Sequence, residues 1–225
     1  VFEDPEHHFT RRGRDAQGRD TSGGERMANW KDPIFKPWVA EKLKSYADEA
    51  MKGKVRVTAQ ASCWPGGVPG QMYFNEPLFV LQSPREVTLL YQRNGEVRHI
   101  YMNVPHSKNP KPSYFGESVG HYEGDTLVVD TVGLNDKTVT DRNGTPHSDM
   151  LHVVERYRVI EGGKTMQVQF SVEDPKAFTT AWSAQVQYQR NARQQLLEEE
   201  VCAENKGDAG TKKRCPSPTA DKPDF

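Results

Sequence analysis

From about residue 72 to residue 202, apolar and polar side chains alternate with a period of two, the mark of half-buried strands. Three turn signals divide this stretch. Asn94-Gly95 separates Val87–Gln92 from Val97–Met102, and a two-residue Asn-Gly loop is a strong hairpin signal. Gly124-Asp125, or Glu123-Gly124, separates Val119–Tyr122 from Thr126–Val129. Gly162-Gly163 separates Val153–Ile160 from Thr165–Val172. Further strands are expected near Tyr73–Leu81, Ala181–Tyr188 and Glu199–Ala203. Before them, Trp38, Val39, Leu43, Tyr46, Ala47 and Ala50 recur at helical spacing, with Pro37 at the start and Gly53 at the end. Eight or nine antiparallel strands, roughly, with one flanking helix suit a closed up-and-down barrel or a strongly curved sheet, with a sandwich as the alternative.

The expected organisation is an extended N-terminal arm over 1–36, a β-barrel domain with its leading helix over 37–206, and a loose tail over 207–225. The arm carries Arg11, Arg12, Arg14 and Arg19 and has no apolar periodicity. The tail is rich in Lys, Pro, Asp and Ser. The chain starts at Val1, as expected after removal of an upstream piece such as an export signal.

Residues opposed across a hairpin share a face. In the first hairpin, Val87, Leu89, Tyr91, Arg98, Ile100 and Met102 lie together, with Arg98 the one charge among them; Thr88, Leu90, Val97, His99 and Tyr101 form the other face. In the last, Val153, Glu155, Tyr157, Val159, Met166, Val168, Phe170 and Val172 lie together, with Glu155 the one charge, and Arg156, Arg158, Gln167 and Gln169 lie opposite. In the middle hairpin, Val119, His121, Thr126, Val128 and Asp130 share a face.

A lone buried charge costs several kcal/mol unless paired. Arg98 and Glu155 therefore either pair structurally or converge with His121 and Asp130 on an internal pocket. In the pocket reading, His121 moves a proton, Asp130 or Glu155 orients it, and Arg98 or Tyr101 stabilises developing negative charge. His147, in the loop Pro146-His147-Ser148-Asp149, is a second acid/base candidate if that loop rims the cavity; Ser148 or Asp149 otherwise caps the entry to the next strand.

Composition narrows the classes. The 225 residues include 30 Lys+Arg and 31 Asp+Glu, a formal charge of -1, so bulk charge makes no case for a nucleic-acid binder. No run of about 18 apolar residues exists for a spanning helix. Gly116-Glu117-Ser118-Val119-Gly120 matches the G-x-S-x-G nucleophile pattern, but a strand rather than a helix follows it. Gly163-Lys164-Thr165 ends like a phosphate loop, but Arg158 stands where its first Gly belongs. Asn143-Gly144-Thr145 is a glycosylation sequon of the kind that chance supplies often. No C-x-x-C pair occurs among Cys63, Cys202 and Cys215; Cys202 with Cys215, or Cys63 with either, suits a disulfide, and three ordinary thiols are the alternative. The seven histidines lack H-x-H and H-x-x-x-H spacing, so a metal site needs ligands from separate strands, such as His99, His121 and His147.

One stretch carries a resemblance. Gly120-His121-Tyr122-Glu123-Gly124-Asp125-Thr126-Leu127-Val128-Val129-Asp130-Thr131 resembles a signature of uncharacterised secreted bacterial proteins, as do Cys63-Trp64-Pro65-Gly66-Gly67, Pro146-His147-Ser148 ahead of Glu155-Arg156-Tyr157, and Cys202-Ala203-Glu204-Asn205. The likeness covers about residues 60–206 and departs at Tyr122, where Trp is expected, and in the N-terminal arm. It implies a periplasmic or secreted protein and a lipocalin-like barrel. It implies no reaction, so it transfers no catalytic residue.

The expectation is thus an exported β-barrel enzyme, of lyase, hydratase or isomerase type. It would do cofactor-independent acid/base chemistry on a small, partly apolar organic molecule, with no nucleic-acid partner and with oligomerisation left open. A lipocalin-like carrier without chemistry and a His-ligated metalloprotein are the alternatives. Ionisable groups on apolar faces favour the enzyme over the carrier.

Overall fold

The structure is a computed structural model that describes residues 8–11, 29–53, 63–74, 77–141, 144–190 and 199–201. It is mainly β with one N-terminal helix. The strands are β1 (His8–Arg11), β2 (Leu78–Gln82), β3 (Glu86–Tyr91), β4 (Glu96–Met102), β5 (Glu117–Glu123), β6 (Thr126–Val132), β7 (His152–Ile160), β8 (Thr165–Glu173) and β9 (Trp182–Arg190). Helix α1 spans Pro37–Met51 with Pro in its first turn, as the sequence pattern requires.

Strands β2 to β9 form one mixed sheet curled into a half-barrel. Strand β1 pairs with both edges, through His8 and Phe9 on β2 and through Phe9, Thr10 and Arg11 on β9. The backbone ladder therefore runs round a ring, but the link is a four-residue strap across an open sheet rather than a full barrel wall.

The expected up-and-down order fails at one place. Strands β4 and β5 pair in parallel, Ile100 with Ser118 and Met102 with Gly120. A parallel neighbour needs a crossover of about a dozen residues or more, and residues 103–116 supply it. Pro105, Pro110 and Pro112 lie in that segment and keep it from adding a strand of its own. All other neighbouring pairs are antiparallel.

The hairpin parities hold. In β3–β4 the register is Leu89 to Arg98 and Tyr91 to Glu96, two residues looser than a two-residue Asn94-Gly95 loop gives. An even shift leaves every side chain on its expected face, and Val87, Leu89, Tyr91, Arg98, Ile100 and Met102 are all buried. In β7–β8, Ile160 pairs with Thr165 and the expected apolar face is again inward. The expected strand at Glu199–Ala203 is irregular over Glu199–Val201, and its last two residues lie outside the described residues. Tyr73, expected to open a strand, instead ends a 3-10 turn from Gly70.

The inner faces of β2 to β9 join Val39 and Leu43 of α1 in one core. The segment before α1 belongs to it as well: Trp30, Ile34 and Phe35 pack on the core, and Phe35 bridges to Phe178. Cys63 is described, whereas Cys202 and Cys215 lie outside the described residues, as does the arm's run of arginines beyond Arg11. No described helix is long and apolar enough to cross a membrane.

Candidate functional site

The six residues expected to share a pocket fall into four places. Arg98 and Glu155 meet on the inner face. Both are fully buried. Arg98 Nη1 donates to Glu155 Oε1 at 2.9 Å and Nη2 donates to Oε2, a bidentate pair. Arg98 Nε and Nη2 also donate to Ser118 Oγ at 3.2 and 3.0 Å, and Nη2 to Thr131 Oγ1 at 2.9 Å. Tyr157 Oη donates to Glu155 Oε1 at 2.6 Å. Burial pulls the guanidinium's pKa down, and the Glu155 carboxylate more than reverses this, so the net direction is up. Burial, then the Glu155 charge, push the Tyr157 phenol well above its ordinary value. Every strong polar atom here has a partner, so the pair is a saturated core network.

Ser118 is consumed by that network and is itself buried, which removes it as a nucleophile. The network also explains the facing of β5 and β6. The parallel register puts Ser118 and Gly120 in phase with Ile100 and Met102, facing inward. Ser118 and Thr131 are the hydroxyl pair that the guanidinium needs.

The other face of this hairpin therefore points outward. The expectation that His121 and Asp130 point into a hollow is corrected: both are on the outer face. His121 is 55% exposed and, among the described residues, bonds only Glu123 Oε1, at 3.3 Å. Tyr101 is also outward, 48% exposed, with its ring 6.5 Å from that of His99. Neither reaches Arg98 or Glu155.

His147 lies apart and is buried. Its Nδ1 faces the Ser148 carbonyl at 2.9 Å and its Nε2 the Thr138 hydroxyl at 2.8 Å. A carbonyl only accepts, so Nδ1 carries the proton and Thr138 donates to Nε2, an arrangement that fits the neutral ring. Burial holds its pKa below the ordinary histidine value. The backbone at Gly67 packs closely on Thr138: its φ is +68°, and a Cβ there would lie 2.6 Å from Thr138 Cγ2. Ser148 Oγ accepts from the Met150 N–H at 3.0 Å, a local capping role, while Asp149 pairs with Lys176 at 2.8 Å. With both ring nitrogens occupied, His147 is a structural histidine.

Asp130 has different company. Its Oδ1 lies 2.9 Å from His106 Nε2 and 3.0 Å from His152 Nε2. His106 Nδ1 in turn lies 3.1 Å from Glu117 Oε1. The Ser107 N–H donates to the same Glu117 oxygen at 2.7 Å. That backbone donor, with the Ser107 side chain next and burial opposing them, holds the Glu117 carboxyl below its ordinary value, with His106 adding to the effect. Donation from both nitrogens of His106 needs the charged ring. His152 differs, because its Nδ1 bonds no other described residue. Asp130, His106 and His152 are 40, 24 and 36% exposed at the side chain, so solutes can reach them.

Beside this cluster the outer face of β7 to β9 forms an open groove of about 490 Å³, lined by Val154, Arg156, Gln169, Phe170, Ser171, Ser183, Ala184 and Gln185. Asp130 is the register partner of Val154. His106 and His152 were missed in the sequence because neither interrupts an apolar face. His106 sits in the crossover, where no periodicity speaks. The one available signal for His152 was its parity, shared with Arg156 on the wet face of the last hairpin.

Among the described residues, no group of three or more His, Cys, Asp and Glu is arranged to hold a metal ion. The set His99, His121 and His147 does not converge: His99 bonds Glu86 at 2.5 Å, and the other two have the separate partners given above. No family model, no curated protein and no solved structure matches the chain.

Proposed function

We propose that the protein is an enzyme of general acid/base type, of the isomerase or lyase class, working from the outer face of the sheet. It would act on a small organic molecule and need no cofactor. The observation that carries the reading is one carboxylate oxygen, Asp130 Oδ1, shared by two solvent-accessible imidazoles in different bonding states. His152 donates from Nε2 to Asp130, which leaves its Nδ1 lone pair to take a proton from a carbon next to a carbonyl. His106, set between Glu117 and Asp130, would exchange its Nε2 bond to Asp130 for one to the developing enolate oxygen and pass a proton to it, while Glu117 keeps hold of Nδ1. Return of the two protons to exchanged positions gives net isomerisation, with Asp130 unchanged as the orienting group. Export to the periplasm or beyond belongs to the same proposal and rests on the signature around Gly120–Thr131.

The test is solvent exchange. The purified protein is incubated in D2O with acetoin and 2-hydroxyacetophenone, and carbon-bound deuterium is followed by mass spectrometry. Uptake above the buffer rate, lost in His152→Gln and in His106→Gln, is expected. Absence of catalysed uptake, or equal uptake by the folded variants, sinks the reading and leaves a binding protein.

A further inference from the structure

The groove beside Asp130 has a chemical character of its own. Three register steps run in a line across the outer face: Asp130 with Val154, Val154 with Ser171, and Ser171 with Ser183. At about 4.8 Å per strand, Ser171 stands roughly 10 Å from Asp130, the length of a small aromatic or sugar-sized molecule. The next row on the same face is Arg156, Gln169 and Gln185. These six residues are among the eight that line the open groove of about 490 Å³, within the size range of small-molecule sites.

The charges in this groove are already spoken for. Arg156, its one cationic lining residue, is paired with Glu123. An anionic ligand would have to break that pair. The hydroxyls of Ser171 and Ser183 bond no other described residue, although they are direct register partners. The Gln169 amide donates to Gln185 Oε1 at 3.2 Å, which leaves its own carbonyl and the Gln185 amino group as further acceptor and donor. Val154 supplies an apolar flank between these groups and Asp130.

We infer that this groove is the substrate-binding subsite, and that its ligand is a neutral, hydroxyl-bearing molecule with an apolar edge. The inference rests on the acid/base reading for the word substrate, but the binding chemistry stands on the groove alone. Ser171 and Ser183 hold the ligand's hydroxyls, and Val154 sets its apolar edge so that the far end reaches His152 and Asp130.

Saturation-transfer NMR with four probes tests it: 1-phenyl-1,2-ethanediol and 2-hydroxyacetophenone as neutral ligands, mandelate and benzoate as anionic ones. The neutral pair should bind in preference to the acids. Ser171→Ala/Ser183→Ala should weaken the neutral probes by about tenfold or more, the loss of two hydrogen bonds. Asp130→Asn should abolish deuterium uptake while the diol still binds. Preference for the acids, no binding of either neutral probe, or unaltered binding in the folded double variant overturns the inference. Diol binding without any deuterium uptake in the native protein would retain the groove and remove the catalytic reading.

Discussion

The Arg98 guanidinium lies against the Glu155 carboxylate on the inner face of the sheet, joined through two nitrogens and two oxygens and closed off from water. Strands β4 and β7 are not neighbours in the sheet, so this contact crosses the core rather than running along a ladder. Ser118, Thr131 and Tyr157 complete it from β5, β6 and β7. A buried ion pair gains little over a well-packed apolar pair, but breaking one side leaves an uncompensated charge. That asymmetry makes the first prediction.

Arg98→Met alone, or Glu155→Leu alone, should destabilise the fold by about 3–5 kcal/mol in urea unfolding. The double variant Arg98→Met/Glu155→Leu should recover most of that loss. Single variants that unfold near the native midpoint would show that the pair is not held out of water. Deuterium uptake should persist in a folded double variant, because the network lies on the face opposite to His106 and His152.

His147 gives the fold a pH dependence of known sign. Burial lowers its pKa in the folded state, so the unfolded chain binds a proton more readily below its ordinary value of about 6.5. The contribution of this histidine is fully present above that value and is lost as pH falls below it. Native protein should lose urea stability as pH falls below about 6.5, and His147→Gln should flatten that part of the profile. Identical slopes in the two proteins would mean that His147 titrates freely in the fold. Thr138→Val should act in the same direction as loss of the ring's partner, through an unmet Nε2.

On the outer face, Asp130 and His121 share one side of a hairpin but should behave differently. Asp130→Asn should move the ring resonances of both His106 and His152 in 15N-detected NMR, since one oxygen serves both. His121→Ala should leave those resonances and deuterium uptake unchanged, and should alter stability by no more than about 0.5 kcal/mol. Equal effects of the two substitutions on uptake would show that the outer-face cluster is not the seat of the chemistry. Both variants keep the core network intact, so the comparison is between folded proteins.

The hairpins could be read closely in the chain because strand parity is a local property. Once a turn is placed, an even error in register leaves each side chain on its face, as Leu89 and Arg98 demonstrate. The apolar faces containing Arg98 and Glu155 were plainly inward for the same reason: each holds a single charge among many apolar groups. The hairpin of β5 and β6 offered no such contrast. Ser118, Gly120, Tyr122, Leu127, Val129 and Thr131 on one side are scarcely more apolar than Val119, His121, Thr126, Val128 and Asp130 on the other.

What the chain by itself determined, then, was the mainly β class, the leading helix, three hairpins and the two inward charges. Only the tertiary structure decided that β4 and β5 run parallel, that the sheet curls into a half-barrel, and that His121 and Asp130 face out. It also brought His106 and His152 to one oxygen of Asp130. The reason is range. Parity and turn chemistry act over a few residues, whereas the direction in which a crossover returns, and the face a guanidinium recruits, depend on partners 20 to 57 positions away.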